Sequence, residues 1–482
     1  MPHSRLTPLD SSFLRVESPT AHMHIGWKGI FAARTDGRPV TIGELRHSIA
    51  GRLRHAHRFR QRLAFPPTGF GEPVWVDDEH FSVEHHVAAM SQAHEVLPRA
   101  RFDELADRCL SQPLERDRAL WRIELAPVLG DGTVGMVMKV HHAMVDGKSA
   151  LELALLLLDM EPEGALPGDD DAWSPAVAPG GARLALEAIT DAGGESLRAV
   201  RSAARLAASP RSSVRIAGTL RRAALAVSED VLRPAPSSYV NVPIGPKRTL
   251  VHHTTPLGPL LTARTAVPGA TLNDVALTVV AGALRELSMR ADHIPEAMKV
   301  MVPVSTRTAD EAGEMGNRIA FVFVELPVHL HRPQERLEQI QRLTSRFKAD
   351  ERASGGEALL GALGMLPEIL RDAAARLASS PRMYNLTVSN VPGPRFAVYL
   401  RGCELLEAAP VIPLPDRHAL SIGIFSYRDQ LTFSGYADPT ALPDIAALPA
   451  ALATALAELD TLAADAAQSE PAPDNLRRIH AA

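Results

Sequence analysis

The chain has 482 residues, 46% of them hydrophobic, 22% charged and only 5% aromatic, enough for two or three globular domains. Lys plus Arg total 51 against 56 Asp plus Glu, a formal net charge of -5 that gives no support to nucleic-acid binding by the chain as a whole. Two cysteines, Cys109 and Cys403, exclude a disulfide framework or a structural zinc site and fit a reducing compartment. The polar N-terminus precedes no long apolar run, so no signal peptide is expected. No stretch approaches the roughly 20 apolar residues of a membrane span.

In chain order, Leu9 to Leu14 reads as a capped helical turn and Met23 to Phe31 alternates as a strand. A helix follows around Ile42 to Leu53. Pro73 to Val76 and Phe81 to Val83 are strand-like, and Arg101 to Leu110 is helical. Leu120 to Leu125 and Thr133 to Val140 read as two strands joined across Gly130-Asp131-Gly132 as a hairpin. The second of these runs into His141-His142-Ala143-Met144-Val145-Asp146-Gly147, after which Ser149 to Met160 is leucine-rich and helical in pattern. A histidine pair at the end of a strand stands where α/β folds project reactive side chains into a crevice. His85-His86 and His252-His253 lack the following Asp-Gly and read as surface or strand histidines.

Between Pro162 and Gly181 the composition turns to Pro, Gly, Asp and Ala, a linker signature, and Ala182 to Leu232 is alanine- and arginine-rich. Arg198, Arg201, Arg205, Arg211, Arg215, Arg221 and Arg222 occur there with no acidic residue between Ser196 and Ser228. On a helical wheel the first three share one face and Leu197, Val200, Ala203 and Ala207 the other. Such a basic amphipathic stretch either docks on an anionic lipid surface or leaves its arginines in water. The second half begins with a helix at Thr271-Leu272-Asn273-Asp274. Strands are expected over Val300 to Val304, Ile319 to Leu326 and Leu386 to Val388. The last of these leads into a turn at Asn390-Val391-Pro392-Gly393-Pro394. A hairpin joins Leu420 to Tyr427 with Leu431 to Tyr436. The last helix ends near Ala466. The division expected is therefore 1–165, an N-terminal mixed α/β unit carrying the histidine pair, 166–245, a partly helical basic linker, 246–466, a second α/β unit, and 467–482, a disordered tail.

A neutral histidine can take the proton of a hydroxyl, and the oxygen so activated can attack a thioester carbonyl with no covalent enzyme intermediate. No Gly-x-Ser-x-Gly supplies a serine nucleophile. Neither His-Glu-x-x-His nor a matching ligand set accompanies the histidines, so no metal is expected. Asn273-Asp274 has two readings: with Thr271 it is a capping box, and Asn273 facing the crevice would polarise a carbonyl or hold the acceptor. Asn390 and Gly393 are open in the same way, as turn residues or as supports of the site.

Taken together, His141-His142-x-x-x-Asp146-Gly147, Leu9-Asp10 with Phe13-Leu14, Glu17 and Met23-His24-Ile25-Gly26, Asn273-Asp274 and Asn390-Val391-Pro392-Gly393-Pro394 resemble the bacterial wax ester synthase/diacylglycerol acyltransferase family over nearly the whole chain. The histidine motif is shared with other CoA-dependent acyltransferases and with peptide-synthetase condensation domains. The sequence departs from the family pattern at Ala119-Leu120-Trp121 and at Asp429-Gln430. The resemblance implies an α/β fold of two chloramphenicol-acetyltransferase-like domains, each a mixed sheet with flanking helices, with the site at their interface. It implies His142 as general base, His141 as its support, Asp146 as a loop-holding residue with Arg307 as candidate ion-pair partner, and Gly147 as a backbone-shape residue. It further implies acyl-CoA as co-substrate with no other cofactor, and diacylglycerol or a long-chain alcohol as acceptor. The expected setting is cytoplasmic, with peripheral contact at a membrane or lipid droplet. Two readings compete: a condensation-type transferase acting on another alcohol or an amine, and a lipid- or CoA-binding protein without catalysis.

Overall fold

A computed structural model of the chain describes residues 3–67, 71–92, 94–144, 157–164, 173–190, 233–305, 319–354 and 376–469. The first half gives β1 (His3–Arg5), α1 (Pro8–Val16), β2 (His24–Phe31), α2 (Ile42–Arg52), β3 (Gln61–Ala64), β4 (Val74–Asp77), α3 (Val83–His86), β5 (Val87–Ala89), α4 (Arg99–Ser111), β6 (Trp121–Ala126) and β7 (Val134–His141). The second half gives β8 (Thr249–Pro256), α5 (Leu257–Ala263), α6 (Leu272–Arg290), β9 (Met298–Ser305), β10 (Ile319–Leu326) and α7 (Pro333–Ser354). After these come β11 (Leu386–Pro392), β12 (Tyr399–Leu400), β13 (Cys403–Val411), β14 (Leu420–Tyr427), β15 (Gln430–Ala437) and α8 (Leu448–Ser469).

Two six-stranded mixed sheets carry the fold, in the orders β12-β13-β2-β7-β6-β5 and β10-β9-β11-β14-β15-β8, with a small third sheet β1-β4-β3. The expected hairpins β6–β7 and β14–β15 are both present. Residues 399–411, within the stretch expected to form the second unit, cross over: β13 pairs antiparallel with β2, from Leu405 opposite Phe31 to Val411 opposite Gly26. The halves thus share backbone as well as side-chain contacts.

The alternation of β7 decides which residues meet the other half. Val134, Met136, Met138 and Val140 enter a core with Trp121, Leu45 and Leu405, while Val137 enters a second core with Phe102, Val275, Ile424 and Leu448. Successive side chains of a strand point to opposite faces, so Lys139 and His141 share the face of Val137. That face is covered by α4, and Gly135 leaves room for it, since a Cβ there would lie 2.6 Å from the Phe102 ring. Polar contacts then join α4 to β8 and β15: Asp107 accepts from the Leu250 amide of β8 at 3.0 Å and from the Thr249 hydroxyl, and Tyr436 of β15 donates to the Leu110 carbonyl at 3.2 Å.

Four expectations are corrected. Val83 belongs to a helical turn, because the Val87 amide reaches back to the Val83 carbonyl and closes it before β5 begins. His86 is accordingly neither a surface nor a strand residue: it is buried between the rings of Phe81 and Trp121, with centroids 5.3 and 4.5 Å away, and its Nδ1 meets the Trp121 carbonyl. Asn390 to Pro392 lie in β11, in parallel register with Ile424 to Ser426, so the turn starts only at Gly393. Finally, Pro443–Leu462 is long and apolar enough to cross a membrane by length and composition, with mean hydropathy 1.4. Its Ala451, Leu452, Ala455 and Leu459 are buried in the core, which accounts for that composition.

Candidate active site

β7 ends at His141, whose amide donates to the Leu120 carbonyl at 2.9 Å, and the next amide, that of His142, donates to the Met23 carbonyl at 2.9 Å. The strand pairing therefore holds both histidines by their backbones. A 3-10 turn over His142–Met144 follows, anchored by the buried Ala143 and Met144. The Ala143 amide donates to His141 Nδ1 at 3.0 Å, so the imidazole of His141 closes the turn that carries its neighbour. The motif residues Asp146 and Gly147, the proposed partner Arg307, and the basic stretch from Arg198 to Arg222 lie outside the described residues.

His142 is partly exposed, and one face of its imidazole is covered by Phe13 of α1, ring centroids 3.7 Å apart and planes within 16°. Its Nδ1 is buried with no hydrogen-bond partner. Burial dominates the electrostatics: it pulls the imidazole down to about 4, with His141 adding to the shift and the residue's own carbonyl opposing it. At neutral pH His142 is uncharged and has a lone pair to offer.

A further group of histidines stands behind the pair. His24 lies opposite His141 in the β2–β7 register, with centroids 6.2 Å apart, and His22 is 5.4 Å from His24. His24 is 2% exposed, and neither ring nitrogen has a hydrogen-bond partner. Burial first, and then the electrostatic influence of Lys139 and of the nearby His141, His22 and Arg248, holds it well below the ordinary histidine value, so it is neutral. Glu17 approaches from α1, its Oε2 3.5 Å from His141 Nε2, and the same carboxylate is gripped by Arg116. Burial pushes the Glu17 carboxyl up, but His141 and Arg116 outweigh it and leave the value below the usual range.

The other expected residues separate into two groups. Asn390 Nδ2 donates to Asn273 Oδ1 at 3.3 Å, so these two meet, joining β11 to the start of α6. No hydrogen bond among the described residues links them to the histidines. Asp274 is buried and fully engaged: Oδ2 accepts from the Thr271 amide and hydroxyl, both at 2.7 Å, and Oδ1 accepts from the Thr344 hydroxyl at 2.7 Å. The capping-box reading holds for Asp274. At Gly393 a Cβ would fall 2.3 Å from the Ser426 carbonyl oxygen and 2.5 Å from the Phe425 ring, so this glycine permits a close crossing of β11 and β14. Among the described residues no group of three or more His, Cys, Asp or Glu side chains is arranged to hold a metal.

Phe13, Glu17 and His24 entered the sequence reading only as motif letters, and Arg116 not at all. A helix-borne aromatic and carboxylate beside a strand-end histidine become visible only when α1 is placed.

A family model described as the wax ester synthase/diacylglycerol acyltransferase catalytic domain matches residues 6–276, and its companion C-terminal domain model matches 315–460. A putative diacylglycerol O-acyltransferase of Mycobacterium tuberculosis is 30% identical over 475 residues, 94% of this chain and 90% of the relative. A probable diacylglycerol O-acyltransferase of the same species is 28% identical over 467 residues, 94% of this chain and 98% of the relative. Among solved structures, the wax ester synthase/diacylglycerol acyltransferase from Marinobacter aquaeolei VT8 superposes with a TM-score of 0.68 at 25% identity, covering 96% of this chain and 100% of that one. The starter condensation domain of rhizomide synthetase, in complex with C8-CoA, gives 0.59 at 14% identity over 96% and 95%. The fold is the one the resemblance implied: two chloramphenicol-acetyltransferase-like domains, each a mixed sheet with flanking helices.

Proposed function

The chain belongs to the wax ester synthase/diacylglycerol acyltransferase family, and on that premise we propose that it esterifies diacylglycerol, and long-chain alcohols as a second acceptor class, with the acyl group of acyl-CoA. It is an O-acyltransferase. We assign His142 as the general base, and the observation that carries this is its uncharged, partly exposed imidazole, fixed at the end of β7. His142 takes the proton of the acceptor hydroxyl as that oxygen bonds to the thioester carbonyl carbon. The tetrahedral intermediate then collapses with cleavage of the carbon–sulfur bond, and the imidazolium returns the proton to the departing CoA thiolate. Atoms and charge balance without a metal, a redox partner or a covalent enzyme intermediate.

His141 is assigned to hold the turn. Asp146, with Arg307 as ion-pair partner, and Gly147 are assigned to shape the loop after it. Asn273 and Asn390, joined through their amides, are assigned to hold the acceptor or polarise the thioester carbonyl. The neutral lipid acceptors place the enzyme at a lipid surface, and the acid-free arginine stretch from Arg198 to Arg222 is proposed to dock it there from the cytoplasm. Glutamine in place of these arginines should then weaken co-sedimentation with anionic liposomes at low salt.

The functional reading is tested by incubating the purified protein with palmitoyl-CoA and either diacylglycerol or hexadecanol, following free CoA and ester separately. Ester with stoichiometric CoA release supports it. Binding without CoA release would favour a lipid-binding protein without catalysis, and turnover only with an amine acceptor would favour a condensation-type transferase.

A further inference from the structure

The transfer written above gives no task to Glu17, yet its carboxylate touches the histidine motif from a fixed place. Glu17 is the C-terminal cap residue of α1, the helix whose Phe13 lies on His142. Its side chain is 11% exposed and that of His141 only 2%. Their contact is thus removed from bulk water.

The geometry fixes the tautomer of His141. An amide N–H can be received only by a lone pair, and the Ala143 amide points at Nδ1 from 3.0 Å. The ring proton must therefore reside on Nε2. That nitrogen is buried, has no hydrogen-bond partner within normal geometry, and faces Glu17 Oε2 at 3.5 Å. Arg116 holds the same carboxylate oxygen from the half-exposed side. A chain of contacts results, from Arg116 through Glu17 and His141 to the Ala143 amide, and it ends beside His142.

We propose that Glu17 is a positioning residue of the acyl transfer: it accepts the Nε2–H of His141, fixes the tautomer in which Nδ1 receives the Ala143 amide, and so holds the turn that presents His142. What this arrangement requires of residue 17 is an oxygen that accepts the Nε2–H, which an amide oxygen also supplies. The inference rests on the assignment of His142 as the base. A competing role, in which Glu17 only staples the end of α1 through its ion pair with Arg116, makes a different prediction. Loss of Arg116 would then do as much damage as loss of the carboxylate.

The experiment compares Glu17→Leu, Glu17→Gln and Arg116→Ala with the wild type, measuring kcat and KM for palmitoyl-CoA at saturating acceptor, with His142→Ala as control. Misplacement of a reacting group costs one to two orders of magnitude, so Glu17→Leu is expected to lower kcat roughly 30-fold with KM within about twofold. Glu17→Gln keeps an acceptor and should stay within about threefold of wild type, as should Arg116→Ala. Wild-type kcat in Glu17→Leu, Glu17→Gln no better than Glu17→Leu, or equal losses in Arg116→Ala and Glu17→Leu would each overturn the proposal. Should Glu17→Leu not fold, the tautomer is read from 15N shifts of the histidine-labelled wild-type chain, with His141 assigned by His141→Gln. A pyridine-type Nδ1 is expected and a protonated Nδ1 overturns the proposal. Full turnover in His142→Ala would instead remove the base assignment and leave this tautomer measurement to decide the Glu17 contact.

Discussion

The ring of Phe13 lies flat on the imidazole of His142, 3.7 Å between centroids and 16° between planes. An apolar plate on a titratable ring withholds water from the charged form, which is the direction of the shift at His142, down to about 4. The proposed base must be neutral to act, so activity is lost as pH falls through its pKa. For the wild type, kcat/KM is therefore expected to stay level from pH 8 to 5. In Phe13→Ala the ring regains water, its pKa climbs toward the free value of about 6.5, and kcat/KM falls between pH 7 and 5. Superimposable pH profiles for the two proteins would show that Phe13 does not shield the base.

Removing the base itself should separate activity from folding. General-base deletion costs roughly 100- to 10,000-fold in rate, so His142→Ala is expected to lose transfer by that factor with little change in melting temperature. The side chain is partly exposed and its Nδ1 has no bond to lose. His141→Ala should be less severe in rate, while Asp146→Ala should lose stability as well as activity. Near-normal turnover in folded His142→Ala would end this assignment.

Asp274 behaves as a structural residue by its bonding. Its two oxygens receive Thr271 and Thr344, and the residue is buried at the start of α6. Loss of a cap together with hydrogen bonds to a charged acceptor is worth about 3 kcal/mol. Asp274→Ala should therefore lower the unfolding free energy by that order, while the protein that remains folded keeps kcat within about threefold of wild type, because no substrate contact has been removed. Thr344→Val, which removes one bond of this set, should cost about 1 kcal/mol. A large loss of kcat in Asp274→Ala at unchanged stability would return this residue to the catalytic group.

What the sequence disclosed and what it withheld divide along range. β6 and β7 were legible because alternation and the Gly130-Asp131-Gly132 turn are local signals, and the histidine motif was legible because it follows a strand directly. The crossing of residues 399–411 to pair with β2 joins segments more than three hundred and fifty residues apart, and nothing local encodes it. The sequence suggests a turn from Asn390 onward because Pro392 and Pro394 dominate its neighbourhood. In the fold, Pro392 closes a strand and tolerates its missing N–H there. The sequence marks His86 only as a surface or strand histidine, because the Phe81 and Trp121 rings that bury it come from different elements. Glu17 and His24 stood in the quoted motif, but which histidine each would meet follows from the placement of α1 and from the β2–β7 register.

His24 gives a last expectation, in stability instead of rate. Its ring is buried, and burial, followed by the electrostatic influence of Lys139, His141, His22 and Arg248, depresses its pKa well below 6.5. The unfolded chain therefore takes up this proton first. Between the unfolded value near 6.5 and the lower folded value the unfolded state binds more protons, so stability rises with pH across that window and falls on acidification. Each such group contributes a slope of about 1.4 kcal/mol per pH unit while the window lasts. His22, His86 and His418 are shifted in the same direction, chiefly by burial, and add to the slope. The melting temperature should thus fall from pH 7 to pH 5, and His24→Phe, which fills the space with a ring that cannot titrate, should flatten the fall. Melting curves that remain parallel in the two proteins would mean that His24 is already charged in the fold. A charged His24 opposite His141 would then oppose any positive charge arising on the neighbouring motif, so the same titration also reports whether the polar space behind the proposed base is neutral when the acceptor proton arrives.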